Sequence, residues 1–319
     1  LMAADLTDAD IREGKIPAVD HRSGLASRKT FARLANMDEA VLSGATLDRS
    51  RLDGVSAQAA DFTDCTLRGA NLTGANLKDA VLAGAILHGA QIAGANLENA
   101  CLEGAVLSDV DVSSARTVGA RFEGALTEPS ETALAKVPEL IAAIAAHEAW
   151  RRSGGADGAP ARLAGEDLRP LGDRMRGVQL TAADLRGACL VGLDLSGAEL
   201  QGANLERADL RGGSLKGADL RGSRLASANL TKADLRGAQL AGLPLGPARV
   251  TPVMLASSRL RYVQGQGADL TDAVLDGADL RGADFTGAIL SGASLASADT
   301  TATVGLDRTD KTAAKLSAS

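Results

Sequence analysis

For long stretches of this chain every fifth residue is Leu, Ile, Val or Phe, and Ala usually stands two places before it. Residues 65–104 read CTLRG ANLTG ANLKD AVLAG AILHG AQIAG ANLEN ACLEG, and the same beat returns over residues 181–240. A helix repeats its apolar face every 3.6 residues and a strand every two, so a period of five belongs to neither. It demands a repeat architecture, in which each unit buries its apolar residue against its neighbours. Composition agrees: aromatic residues are 2% of the chain while Gly numbers 36 of 319. Such a chain stacks narrow layers of Leu and Ala rather than filling one wide core.

The phase of the beat maps the domains. With the large apolar residue as centre, the first block has centres at Leu42, Leu47 and Leu52, then from Phe62 to Val112 and at Phe122, broken only by Ala57 and Thr117. In the second block centres run from Leu180 to Leu245 and from Leu255 to Leu295 in a shifted phase. The expected divisions are an N-terminal segment, 1–39; a first solenoid, 40–125; a helical linker or cap, 126–162; a second solenoid, 163–300, irregular over 244–266; and a polar tail, 301–319. Leu6, Ile11 and Ile16 already keep the spacing, and the phase slips by one between Phe31 and Leu42. The N-terminal segment therefore reads either as an isolated coil with a cap or as the remnant of a longer array.

In the linker, Ser130 suits a helix cap, Pro138 a first helical turn, and Gly154 with Gly155 a stop. Val137, Ile141 and Ile144 form one apolar stripe, with Leu140, His147 and Trp150 beside it. This helix is expected to pack on an open solenoid end, where unpaired strand edges need covering. Residues 17–39 and the tail are further candidate caps. Around Pro244, Pro247 and Pro252 a bulge, loop or kink is expected, with Thr251-Pro252 starting a short helix.

The units Ala70-Asn71-Leu72, Ala218-Asp219-Leu220 and Ala278-Asp279-Leu280 resemble the A(D/N)LxG motif of the pentapeptide repeat family, and the likeness covers most of 40–125 and 176–300. The resemblance implies a mainly β fold: two right-handed quadrilateral β-helix solenoids joined by a short α-helical segment, four pentapeptides to a coil. Centres and Ala would point inward. Residues 20 apart would then sit on neighbouring coils about 4.8 Å apart, stacking Phe62, Leu82, Leu102 and Phe122. Gly two places after the centre, as at Gly74 and Gly222, allows a positive φ at the corner.

Reactive chemistry is sparse, and the chain is not expected to be an enzyme or to use a cofactor or metal. His21, His88 and His147 are far apart, and position 151, where a zinc helix would carry a second His, is Arg151. Cys65 falls on a small inward position, whereas Cys101 and Cys189 fall outward, as free thiols. Gly265-Gln266-Gly267 reads as a corner or loop rather than a phosphate cradle. Asp184, Asp209, Asp219, Asp234 and Asp279 occupy a repeat position that tolerates Asp or Asn, so they read as solvated faces.

Residues 40–125 hold ten acidic and six basic residues, and 176–300 hold thirteen of each. Neither block offers the clustered positive charge of a nucleic-acid surface, so no direct nucleic-acid binding is expected. Arg221, Arg261 and Arg281 line up along one face of the second block, interrupted at Ala241. No apolar run approaches the roughly 18 residues of a membrane span. With no charged and apolar leader at its start, the chain is expected to be cytoplasmic, with no membrane insertion.

The expected role is a non-catalytic scaffold or protein-binding module with a protein partner, oligomeric state open. Candidate contacts are the outward apolar residues Val81, Ile86 and Val106, with Cys101 nearby, and Trp150. Two alternatives stand: the central helix covers this patch within the chain, through Ile141, Ile144 or Trp150, and Trp150 is a packed anchor. The resemblance also offers a different role, since some family members protect DNA gyrase as acidic rods that mimic duplex DNA. The acidic first block fits that idea, while the neutral second block, the Phe-poor centres and the polar tail do not.

Overall fold

A computed structural model describes residues 1–19, 26–246 and 249–306, with the backbone alone described for 13–19 and 26–34. His21 and residues 307–319 of the tail lie outside the described residues. The chain divides into two compact units, Leu1–Glu128 and Pro129–Ser319.

Each unit is a ladder of parallel bridges between residues 20 apart. Along one side of the first unit run Val41↔Asp61, Asp61↔Val81, Val81↔Cys101 and Cys101↔Arg121. At each rung the N–H of the centre donates to the next coil, as Leu42 does to the Asp61 carbonyl at 2.8 Å. The N–H before it donates to the previous coil, as Asp61 does to Ala40 at 2.9 Å. One pentapeptide thus makes one side, and four sides make a coil whose backbone polar groups are satisfied by the coils above and below. The architecture is mainly β, though made of single bridges rather than long strands.

The core follows from the same geometry. Leu42, Phe62, Leu82 and Leu102 form a fully buried column, with Phe122 partly buried at its end. In the second unit Leu190, Leu210, Leu230, Leu260 and Leu280 form one column and Leu200, Leu220, Leu240 and Leu270 another. Ala two places earlier fills the space left between them. The residue two places after the centre turns the corner in the left-handed region: φ is +65° at Gly74 and +66° at Gly222. Asp64 and Tyr262 hold the same conformation at equivalent corners despite their side chains, with φ of +55° and +54°.

Three insertions interrupt the spacing of 20. In the first unit Asp5↔Thr46 and Asp10↔Arg51 are 41 apart, although Asn36↔Ser56 resumes the spacing of 20. The first coil therefore begins at the N-terminus, leaves the ladder for an antiparallel hairpin of β1 (Glu13–Val19) and β2 (Ala26–Leu34), and returns. The 21 extra residues are one more than a multiple of five, which is the slip of one. Residues 1–12 thus supply two sides of this coil.

In the second unit Arg162↔Asp184 and Asp167↔Cys189 are 22 apart, the two additional residues being taken up by the 3-10 turn Arg169–Met175. Arg224↔Met254 is 30 apart. Ten extra residues are two whole pentapeptides, so the phase survives. They form a short hairpin of β3 (Leu243–Pro244) and β4 (Val250–Thr251). No helix starts at Thr251, because the residue before a proline is pushed toward extended backbone. The irregular stretch ends at Pro252 rather than 266, since Met254 is already back in the ladder.

The helices, α1 (Glu131–Ala135) and α2 (Val137–Arg152), belong to the second unit. Ser130 caps α1 through its hydroxyl, which accepts from the Ala133 N–H at 3.2 Å. Leu140 is buried as part of the second unit's core, against which Val137, Ala143 and Ile144 also pack. Leu140, Ile144 and His147 recur at helical spacing and make the buried stripe. Ile141, one residue off that line, faces outward instead.

Candidate interaction surface

The acidic residues of the repeat are built into its sides. In each Asp-Leu-Arg unit the first and third side chains emerge on the same face. The guanidinium then grips the carboxylate with two hydrogen bonds: Arg186 on Asp184 at 2.8 and 2.6 Å, Arg221 on Asp219 at 2.9 and 2.6 Å, and Arg236 on Asp234 at 2.9 and 2.6 Å. The same carboxylates accept the backbone N–H two residues on, as Asp219 does from Arg221 at 3.2 Å. At Asp279 burial pushes the carboxyl up, but hydrogen bonds from Arg281 and Arg261 outweigh it and hold it far below the usual range. These charges stiffen the coil sides and are displayed in fixed rows.

The candidate contact residues fare differently. Val81 is 37% exposed, but Ile86 and Val106 are each only 3% exposed, and Cys101 is buried as well. The outward apolar patch is corrected accordingly. Thr66, Ile86 and Val106 stack directly through Thr66↔Ile86 and Ile86↔Val106, and all three are buried. Trp150 is half-buried and stacks on His147 at 5.5 Å between ring centroids.

His147 is fully buried. Its Nδ1 accepts the Ala161 N–H at 3.0 Å, so the neutral ring carries its proton on Nε2, which lies near Thr181 without a normal hydrogen bond. Burial pushes its pKa down. His88 is exposed, with Nδ1 3.5 Å from Asp109. All three cysteines are free thiols, and the Cys65 Sγ lies 2.9 Å from the Leu42 carbonyl. Among the described residues no three His, Cys, Asp or Glu side chains converge as metal ligands, and no helix is long and apolar enough to cross a membrane.

Two further expectations change. Within Gly265-Gln266-Gly267 the corner is Gly267, at φ +67°, whereas Gly265 occupies an inward centre whose place the ring of Phe285 from the next coil fills. The arginine stripe is also redrawn. The ten-residue insertion moves the column above Arg221 and Ala241 to Thr271, while Arg261 and Arg281 stand above Arg211 and Thr231. A shallow groove of about 490 Å³ lies elsewhere on the second unit, between Arg186, Arg207 and Glu206. Glu206 is ion-paired there with Arg224 at 3.3 Å.

The family model described as Pentapeptide repeats matches this sequence in eight copies, over residues 35–74, 60–99, 70–109, 179–217, 214–242 and 266–299. No curated protein matches it. Among solved structures, the sequence is similar to HetL, a pentapeptide repeat protein involved in heterocyst differentiation regulation from the cyanobacterium Nostoc sp. strain PCC 7120. Identity is 23% over 96% of this chain and 91% of HetL, with a TM-score of 0.20. QnrB1, a plasmid-mediated fluoroquinolone resistance protein, is 12% identical over 94% of this chain and 85% of its own, with a TM-score of 0.27. Rfr23 from the cyanobacterium Cyanothece 51142 is 24% identical over 40% of this chain and 86% of its own, with a TM-score of 0.19. Scores this low carry no role across.

Proposed function

Because this chain belongs to the pentapeptide repeat family, we propose that it is a non-catalytic protein-interaction module. In this reading its right-handed quadrilateral coils hold rows of side chains for a partner protein, and the helical segment joins two such solenoids. The observation that supports it is the consumption of backbone polar groups between coils, which leaves each side as a rigid display of alternating side chains. Preorganised rows lose little entropy on binding, which is what an interaction surface needs.

The test is site-specific photo-crosslinking in the native host, with a photoreactive residue placed in turn on each exposed side, for example at Val41, Gln91, Arg224 and Gln239. One reproducible protein adduct from a single side is expected. Absence of any adduct from every side of both units overturns the reading.

A second reading, DNA mimicry before a topoisomerase, rests on the acidic balance of residues 40–125. Much of that acidity is locally neutralised: Asp48 pairs with Arg68 at 3.3 Å, Glu98 with Arg116 at 2.8 Å and Glu103 with Arg121 at 2.8 Å. Failure of the purified protein to inhibit supercoiling or to protect gyrase from a poisoning drug would remove it.

A further inference from the structure

Helix α2 is fastened to the start of the second unit by polar contacts at both ends and in between, and each depends on a protonation state. At its N-terminus Lys136 Nζ donates to both Glu166 oxygens at 2.8 Å. Near its C-terminus Arg151 donates to Glu199 at 2.6 Å. Between them stands the buried His147, whose Nδ1 accepts the Ala161 N–H at 3.0 Å. Ala161 also opens the ladder, because its carbonyl accepts the Asp184 N–H at 3.0 Å. The helix and the first rung thus meet at one residue.

Proton uptake would reverse the sign of the His147 contact. A neutral imidazole offers one donor and one acceptor, whereas an imidazolium offers donors alone. The charged ring would therefore set an N–H against the Ala161 N–H inside a buried site. Glu148 and Arg151 of its own helix act on the ring in opposite directions, and Arg151 is occupied by Glu199. The segment that brings Ala161 carries Asp157 and Arg162, both exposed, and residues 178–182 bring no charge, only the Thr181 carbonyl. Among the described residues the second unit has no buried carboxylate to balance the cation. Between α2 and Ala161 the chain passes through Gly154, Gly155 and Gly158, all at positive φ. Glycines of this kind can absorb the backbone change of a hinge.

We propose that α2 is an acid-released latch: proton uptake by His147 breaks its hold on Ala161, the helix swings out about the glycine segment, and the first coil of the second unit is laid bare. Burial lowers the His147 pKa while the helix is docked, and a detached helix in water would titrate near 6.5. The detached state therefore binds the proton more tightly, and docking is lost as pH falls through the lowered value. The release is local, because the coils beyond keep their own ladder bonds and open separately. The latch goes beyond the interaction-module reading and does not depend on it.

Trp150, the single tryptophan of the chain, is half-buried and stacks on His147 at 5.5 Å, so it reports on the latch directly. The experiment follows its emission, with hydrogen–deuterium exchange over 131–165 and 205–240, in the full chain and in His147→Gln from about pH 7.5 to 4.5. Gln keeps an acceptor for the Ala161 N–H and takes up no proton. In the parent, Trp150 emission should shift to the red, and exchange over 131–165, corrected for its intrinsic rate, should quicken about tenfold while 205–240 stays protected. In His147→Gln the same segment should change by less than about threefold. Equal release in both proteins would assign it to Glu166 or Glu199 and overturn the proposal, as would joint loss of protection over 205–240 or no release across the range. Should His147→Gln melt early, a nuclear magnetic resonance titration of the parent decides. The His147 ring and the Ala161 amide should then move with one midpoint below the ordinary histidine value, and separate midpoints refute the latch.

Discussion

Gly265 and Phe285 form a single packing unit, and a double-mutant cycle on them tests whether the column rule governs stability. Every other inward centre on that side of the second unit's full coils is Leu, at Leu195, Leu215 and Leu235. Gly265 departs from the pattern, and a Cβ built there would lie 2.5 Å from Phe285 Cε1 and closer to Cδ1. Its backbone is not left-handed, so Leu is conformationally allowed and the ring is the main obstacle, with the Asp284 carbonyl at a tight 3.3 Å. Gly265→Leu then overpacks the column, at a cost of about 2 kcal/mol.

Phe285→Leu alone removes three buried carbons at about 0.8 kcal/mol each, again about 2 kcal/mol. If the sites were independent the double variant would lose about 4 kcal/mol. With Leu over Leu the column regains the packing used elsewhere, and the double variant is expected within about 1 kcal/mol of the parent. The coupling energy is therefore about 3 kcal/mol. Urea unfolding followed by circular dichroism measures all four proteins, with the m-value checked because repeat arrays need not unfold as one unit. Additivity within about 0.5 kcal/mol would refute the reasoning.

Two further outcomes are expected. The His147 pKa is lowered by burial, with the Thr181 carbonyl, Arg151 and Glu148 nearby, and Arg151 is itself held by Glu199 at 2.6 Å. Its stabilisation is thus complete above the ordinary histidine pKa near 6.5 and is lost as pH falls through the lower folded-state value. In thermal melts between pH 7.5 and 5, His147→Gln should flatten that dependence, and an equal slope in both proteins counts against it. Ser223 is buried at an Ala position with its hydroxyl unpaired, whereas the equivalent Ser258 hydroxyl donates to the Leu255 carbonyl at 2.7 Å. Ser223→Ala should raise stability by about 1 kcal/mol and Ser258→Ala should not, with urea midpoints deciding.

The beat of five made the coil geometry legible because register is carried by covalent spacing: Phe62, Leu82 and Leu102 stack as their positions require. Insertions are legible only modulo five. The 21 residues that carry β1 and β2 left a slip of one, but the ten that carry β3 and β4 left no phase change. An alignment of columns by counting therefore put Arg221 beneath Arg261, when the ladder puts Arg211 there.

Exposure was the least legible property. An outward position in one repeat does not fix how much of the side chain water reaches, and so Ile86 and Val106 looked free although each is only 3% exposed. Charge pairing was hidden for the opposite reason. Asp279 sits in an ordinary repeat unit, yet Arg261, eighteen residues earlier, arrives one coil away as its second guanidinium. Function in such a fold is written across coils rather than along the chain. Lys232 and Tyr262, with the ammonium 5.2 Å from the ring centroid, become neighbours only once the ten-residue insertion is counted into the register.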